Sequence, residues 1–173
     1  MYSKIKIAGH PIHPMLVSYP IAANTGTLVG FILYAIKGDQ FWLNFAIALN
    51  WVAVFGAVAA ALPGFIDWAF GIPRDSSAKQ VGLGHMGLNV VSLALFSISL
   101  GVYGSHWDGP ARSASLGVTL SAIGVGCTVL AGFLGWMLVQ NFHVGVSLSR
   151  VQETDEPAVQ HARPLRAPHG HAM

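Results

Sequence analysis

The chain has 173 residues, 53% of them hydrophobic and only 9% charged. Soluble domains carry about 25% charged residues, so this composition excludes an ordinary soluble fold and points to an integral membrane protein. A net charge of +2 with no basic stripe excludes a nucleic-acid binder, and one cysteine excludes a disulfide framework within the chain.

In chain order, the N-terminal MYSKIKIAGHPIHP precedes the first apolar run and lacks an A-x-A cleavage site, so the first span is expected to remain in the protein. Four predicted spans follow, near Met15–Ile36, Phe41–Phe70, Gly84–Tyr103 and Leu116–Phe142. Each is long enough for the roughly 20 apolar residues that a transmembrane helix needs. From Ser113 to Ser149 there is no Asp, Glu, Lys or Arg. Short loops (KGDQ, GIPRDSSAKQVGL and GSHWDGPARS) make neighbouring helices antiparallel, and alternating strand patterns are absent. The expected fold is all-α: a four-transmembrane-helix antiparallel bundle over residues 1–150. A cytoplasmic tail follows over 151–173, rich in proline and charge and expected to be disordered. No tandem repeat of fixed period stands out.

Without a hydrophobic drive in lipid, close packing relies on small residues. The fourth span offers Gly117, Ser121, Gly124, Thr128, Gly132 and Gly135 on one face, the first Gly26 and Gly30, the second Gly56 and Ala60. Pro20 and Pro63 are expected to kink their helices.

The polar residues gather at one side. His10 and His13 precede or open the first span. Asp67 lies near the end of the second, on the face of Gly56 and Ala60. His85, Asn89 and Ser92 share a face of the third, expected to point inward, and His143 ends the fourth. Alternating span direction brings all of these to one level, and His106 alone lies opposite. Imidazole is the commonest metal ligand. Two histidines on facing helices can hold haem iron, and three or four with a carboxylate can hold a non-haem transition metal. His85 and His143, both on regular helix, are the expected axial pair. His10 and His13 would serve a propionate or a second metal. Asp67, Asn89 and Arg74 are expected to support the ligands, with Arg74 alternatively on a propionate. No hydrolase or phosphate-loop motif is present.

The segments GHPIHPMLVSYPIA, LPGFIDWAFGIPR, GLGHMGLNVVSL and GWMLVQNFHVGV, in that order, resemble a bacterial family of predicted membrane proteins, domain of unknown function 2231. The resemblance covers about residues 8–148. The His-Pro-x-His-Pro motif is its most specific part. The last motif departs from the family's usual Tyr-x-His-Gly-Val-Gly-Val: here NFHVGV keeps His143 but lacks the tyrosine and one glycine. Some relatives are fused to a Rieske iron–sulfur domain, which implies membrane electron transfer; this chain has no Rieske cysteines, so such a partner would be separate.

The expected function is therefore a small bacterial cytoplasmic-membrane protein holding haem b, or another redox metal, near the cytoplasmic face. Its partners are expected to be the lipid bilayer, a redox protein or a quinone, and further copies of itself in a homo-oligomer. The alternatives are proton or metal-ion binding and transport without redox chemistry, and a purely structural membrane assembly partner.

Lys and Arg number seven on the side of the termini (Lys4, Lys6, Arg74, Lys79, Arg150, Arg163, Arg166) and two on the other (Lys37, Arg112). Positive residues favour the cytoplasm. Reporter fusions after Lys37 and after Arg112 are thus expected to read periplasmic, and a fusion after Arg150 cytoplasmic. A periplasmic C-terminus would invert the placement of the histidines.

Overall fold

A computed structural model describes residues 3–111, 113–146 and 149. The tail from Val151, like Arg112 and Arg150, lies outside the described residues. The chain opens with a small hairpin, β1 (Lys6–Ile7) antiparallel to β2 (His10–Pro11). Ala8 and Gly9 turn it with φ of 48° and 81°, the left-handed pair that a two-residue hairpin turn needs. The sequence pattern did not announce this two-strand strap.

Helices then follow as α1 (Ile12–Leu16), α2 (Ser18–Lys37), α3 (Gln40–Ile66), α4 (Ser77–Tyr103) and α5 (Ser115–Gln140). A π-helical turn, Asp67–Gly71, extends α3. The four spans run Ile12–Lys37, Gln40–Gly71, Ser77–Tyr103 and Ser115–Gln140. The third starts a full seven residues before its expected bound at Gly84, because Ser76 caps it by accepting from the Lys79 amide. The break between α1 and α2 at Val17 has a direct cause. Pro20 lacks the N–H that would reach back to Leu16, so the ladder restarts with Pro20 in the tolerated first turn of α2. Pro63, by contrast, sits inside α3.

The helices pack α2 on α3, α4 on α5, and, across the two hairpins, α2 on α5 and α3 on α4. This square arrangement repeats itself. An offset of 72 residues carries buried Pro20, Asn24, Thr27 and Phe31 of α2 onto buried Ser92, Phe96, Ser99 and Tyr103 of α4. An offset of 71 carries buried Leu43, Ala46, Asn50, Ala53 and Ala60 onto buried Ala114, Gly117, Ser121, Gly124 and Ala131. The two hairpins thus bury matching positions at nearly the same offset. Parallel internal repeats of this kind recur in membrane transport folds. Chemical identity is too low for the repeat to stand out in the sequence; it is the burial pattern that repeats.

Close approach holds the square together. A Cβ at Gly30 would lie 2.9–3.0 Å from Ala46, backbone included, and one at Gly117 would lie 2.7 Å from the Phe31 ring. On α5 the buried face is Gly117, Ser121, Gly124, Thr128 and Ala131, spaced 4, 3, 4, 3. That mean of 3.5 residues is the coiled-coil period. It selects Ala131 where the sequence reading chose Gly132, which is exposed with nothing within 4 Å of its would-be Cβ.

Gly30→Val is expected to destabilise the bundle by ~1–3 kcal/mol, the usual range for forced overpacking. Gly87→Ala, in open space, is expected to hold or raise stability, since alanine is the better helix former. Thermal unfolding of the two variants in one detergent separates them.

Candidate functional site

Two imidazoles meet edge-to-face between the first and third spans. The rings of His13 and His85 have centroids 6.2 Å apart with an interplanar angle of 88°. The repeat relates them, since His85 is His13 displaced by 72 residues. Their anchoring is equivalent too. His13 Nδ1 lies 2.8 Å from the Ala60 carbonyl oxygen, and His85 Nδ1 lies 2.8 Å from that of Ala131. A carbonyl only accepts, so each Nδ1 carries the proton and donates it, which leaves each Nε2 as the basic nitrogen.

Each ring also rests on a glycine one turn beyond its acceptor. A Cβ at Gly64 would lie 2.7 Å from His13 Nδ1, and one at Gly135 would lie 3.2 Å from His85 Cε1. Ala60 with Gly64 and Ala131 with Gly135 are the same device, an acceptor and a gap four residues on. The diagonal helices α3 and α5 thus supply the seats, while α1 and α4 supply the rings. Neither Ala60 nor Gly64 was singled out for this role by sequence reading. The signal that could have found them is the shared spacing Ala-x-x-x-Gly-aromatic in Ala60–Phe65 and Ala131–Trp136.

Asn89 lies on the exposed side of α4, not inward as expected. Its amide donates to the His85 carbonyl oxygen at 2.9 Å and approaches His85 Nε2 at 3.2 Å. An intrahelical carbonyl four residues back satisfies the amide locally, so no inward placement is needed.

The other expected members have the following surroundings. Asp67 keeps the face expected for it, but the N-terminal strap fills that face. Its Oδ1 accepts from the amides of Lys4 (2.6 Å) and Ile5 (3.2 Å), and its Oδ2 from the Ser3 hydroxyl at 2.7 Å. Asp67 is therefore a clamp for the strap, worth more there as a charge-assisted acceptor than as a distant ligand. His10 is exposed, its Nδ1 2.9 Å from the Ala8 carbonyl oxygen. His143 follows α5 in a left-handed backbone turn, φ 51°. Arg74 is exposed between the π-helical turn and α4. In that same region Lys79 Nζ donates to the Trp68 and Ala69 carbonyls and lies 4.1 Å from the Trp68 ring centre. It closes the frayed end of the second span as a cation should at a helix C-terminus. Among the described residues no cluster of three or more His, Cys, Asp or Glu could hold a metal ion.

The family model of a predicted membrane protein, domain of unknown function 2231, matches residues 9–148. The chain belongs to that family. No curated protein and no solved structure matches it. The matched region of this family member takes in both hairpins, the histidine pair and both glycine seats.

Gly64→Ala is expected to push His13 off the Ala60 carbonyl, because the new methyl has no room beside Nδ1. Gly135→Ala, with 3.2 Å of space, is expected to perturb His85 less. Imidazole nitrogen chemical shifts in bilayers check this: the Nδ1-protonated form of His13 should be lost in the first variant while His85 keeps its form in the second.

Proposed function

We propose that His13 and His85 form a two-imidazole ligand site for one redox-active metal, haem b iron in the first place, and that this membrane protein works in electron transfer. The ring separation carries the reading. With ring centres 6.2 Å apart, His13 and His85 are close enough that one nitrogen of each ring could reach a single metal ion at the ~2.0–2.1 Å usual for imidazole. Both rings are held by Nδ1 on a fixed acceptor, as ligating histidines normally are, with Nε2 left as the basic nitrogen.

Charge decides between metals. Among the described residues no carboxylate is seen to bond to either ring, and Asp67 is engaged by Ser3, Lys4 and Ile5. A bare divalent cation between two neutral imidazoles would stand uncompensated at membrane depth, which is costly. A porphyrin brings two negative charges with its iron, and the residues fit that group better. Bound there, haem iron would supply one-electron redox chemistry at a potential set by its two imidazoles. This assigns the pair to His13 and His85, and not to His85 and His143. Arg74, exposed shortly before α4, is the proposed partner of a propionate, on the chemistry of a guanidinium with a carboxylate. A quinone or a separate redox protein is the proposed partner, and the cytoplasmic side of a bacterial inner membrane the proposed location.

A second reading, proton binding and transport without redox chemistry, draws on the same pair. Two imidazoles with 6.2 Å between ring centres could pass a proton through one bridging water.

The two readings differ in colour. Purified after expression with ample haem and iron, the wild type is expected to show a Soret band and reducible visible bands. His13→Ala and His85→Ala are each expected to lose them, and His143→Ala and His10→Ala to keep them. A colourless, metal-free wild type would sink the redox reading. Loss of the spectrum in His143→Ala but not in His13→Ala would sink only the ligand assignment.

A further inference from the structure

Half-way along the bundle lies a second polar layer. Thr27 of α2, Asn50 of α3, Ser99 of α4 and Ser121 of α5 are each 0–1% exposed. The repeat pairs Thr27 with Ser99 and Asn50 with Ser121. Their common level follows from contacts on either side. Towards one end, the Phe31 ring meets the Tyr103 ring at 4.7 Å and covers Gly117. Towards the other, Asn24 donates to Thr128, and Ser92 bonds Gly124 and Thr128, each at 3.0 Å. Thr27, Ser99 and Ser121 fall between these two sets on their helices. Asn50 joins them through the α2–α3 register, in which Gly26 adjoins Leu49 and Gly30 adjoins Ala46.

Only Ser121 is satisfied, by donating to the Gly117 carbonyl. The Thr27 hydroxyl, the Ser99 hydroxyl and both polar atoms of the Asn50 amide are buried without a partner among the described residues. Other hydroxyls of these helices, those of Thr25, Thr119 and Thr128, donate to the carbonyl four residues back. Thr27 and Ser99 are not turned that way. An amide with two donors and one acceptor, flanked by two hydroxyls, calls for a ligand that both donates and accepts.

We propose that this layer is a binding site for internal water, which bridges Asn50 to Thr27 and Ser99 and so ties α2, α3 and α4 together at mid-membrane. Water is the class that fits. Buried waters typically make about three hydrogen bonds to otherwise unsatisfied groups. A cation finds no carboxylate here and meets an amide N–H₂. The Phe31–Tyr103 pair with Leu43 seals the layer from the far end of the bundle, since all three belong to the buried apolar cluster there. The site is separate from the histidine pair and stands whether or not that pair holds a metal.

The test is water-to-protein magnetisation transfer by solid-state NMR on the full chain in lipid bilayers, with stability measured in parallel. The Asn50 side-chain amide is expected to be polarised from water as fast as groups at the membrane surface. Thr27→Val is expected to slow that transfer, and Asn50→Leu to abolish transfer to Thr27 and Ser99. The unfolding effects of Asn50→Leu and Thr27→Val are expected to be non-additive, although the two side chains share no direct bond, because they share a water. An Asn50 amide polarised no faster than lipid-facing groups overturns the proposal. So does an Asn50→Leu variant that is more stable than wild type and additive with Thr27→Val, the behaviour of a dry layer freed of orphaned polar atoms. A melting temperature that rises with sodium or lithium at constant ionic strength overturns it in favour of a cation.

Discussion

Everything in this bundle depends on how closely its backbones approach. Lipid tails are as apolar as leucine, so helices in a bilayer gain little by burying side chains against one another. What remains is dispersion at short range and polar contact between helices. Both require small residues at the crossing points. Gly30 against Ala46 and Gly117 against Phe31 supply that approach at one end. Gly64 and Gly135 supply it at the other, where the gap is filled by imidazole. The same property that packs the helices therefore lets His13 and His85 reach backbone carbonyls on neighbouring helices. A methyl in the tighter seat, at Gly64, would separate ring from acceptor, and an unpaired polar group buried away from water costs ~1–3 kcal/mol.

The internal repeat adds a second constraint. Two hairpins that bury matching positions bring equivalent residues together. Phe31 meets Tyr103 and His13 meets His85 in this way. An aromatic ring at one such position closes the bundle, and an imidazole at another sets a second imidazole against it. The polar residues at mid-bundle, Thr27 with Ser99 and Asn50 with Ser121, follow the same rule.

The spans were legible because their signal is composition alone: long runs without charge leave little choice of fold. The side of the bundle that carries the histidines was legible too, because short loops force alternation. What could not be read was which of four histidines turns inward. His13 does so because α1 packs on α3, where the Ala60 carbonyl takes its Nδ1 proton and Gly64 leaves room for the ring. His143 sits beyond the last turn of α5, where backbone conformation and not helical periodicity sets its direction. Asp67 shows the other limit. Its face followed from its distance to Gly56 and Ala60, but the strap that occupies that face folds back from the N-terminus through an Ala8–Gly9 turn that no periodicity marks. The α5 stripe drifted by one residue, from Gly132 to Ala131, because 3.5 and 3.6 residues per turn diverge only over several turns.

The repeat is imperfect where it bears on chemistry. Asn89, whose amide lies against His85 Nε2, corresponds at the 72-residue offset to Val17. No equivalent amide can stand beside His13, because Val17 is apolar and marks the break between α1 and α2. The two imidazoles thus share the same seat and the same Nδ1 anchor but differ at Nε2, where an amide stands against the ring of His85 and the equivalent position offers none to His13. The inequality between two otherwise matching rings rests on one asparagine.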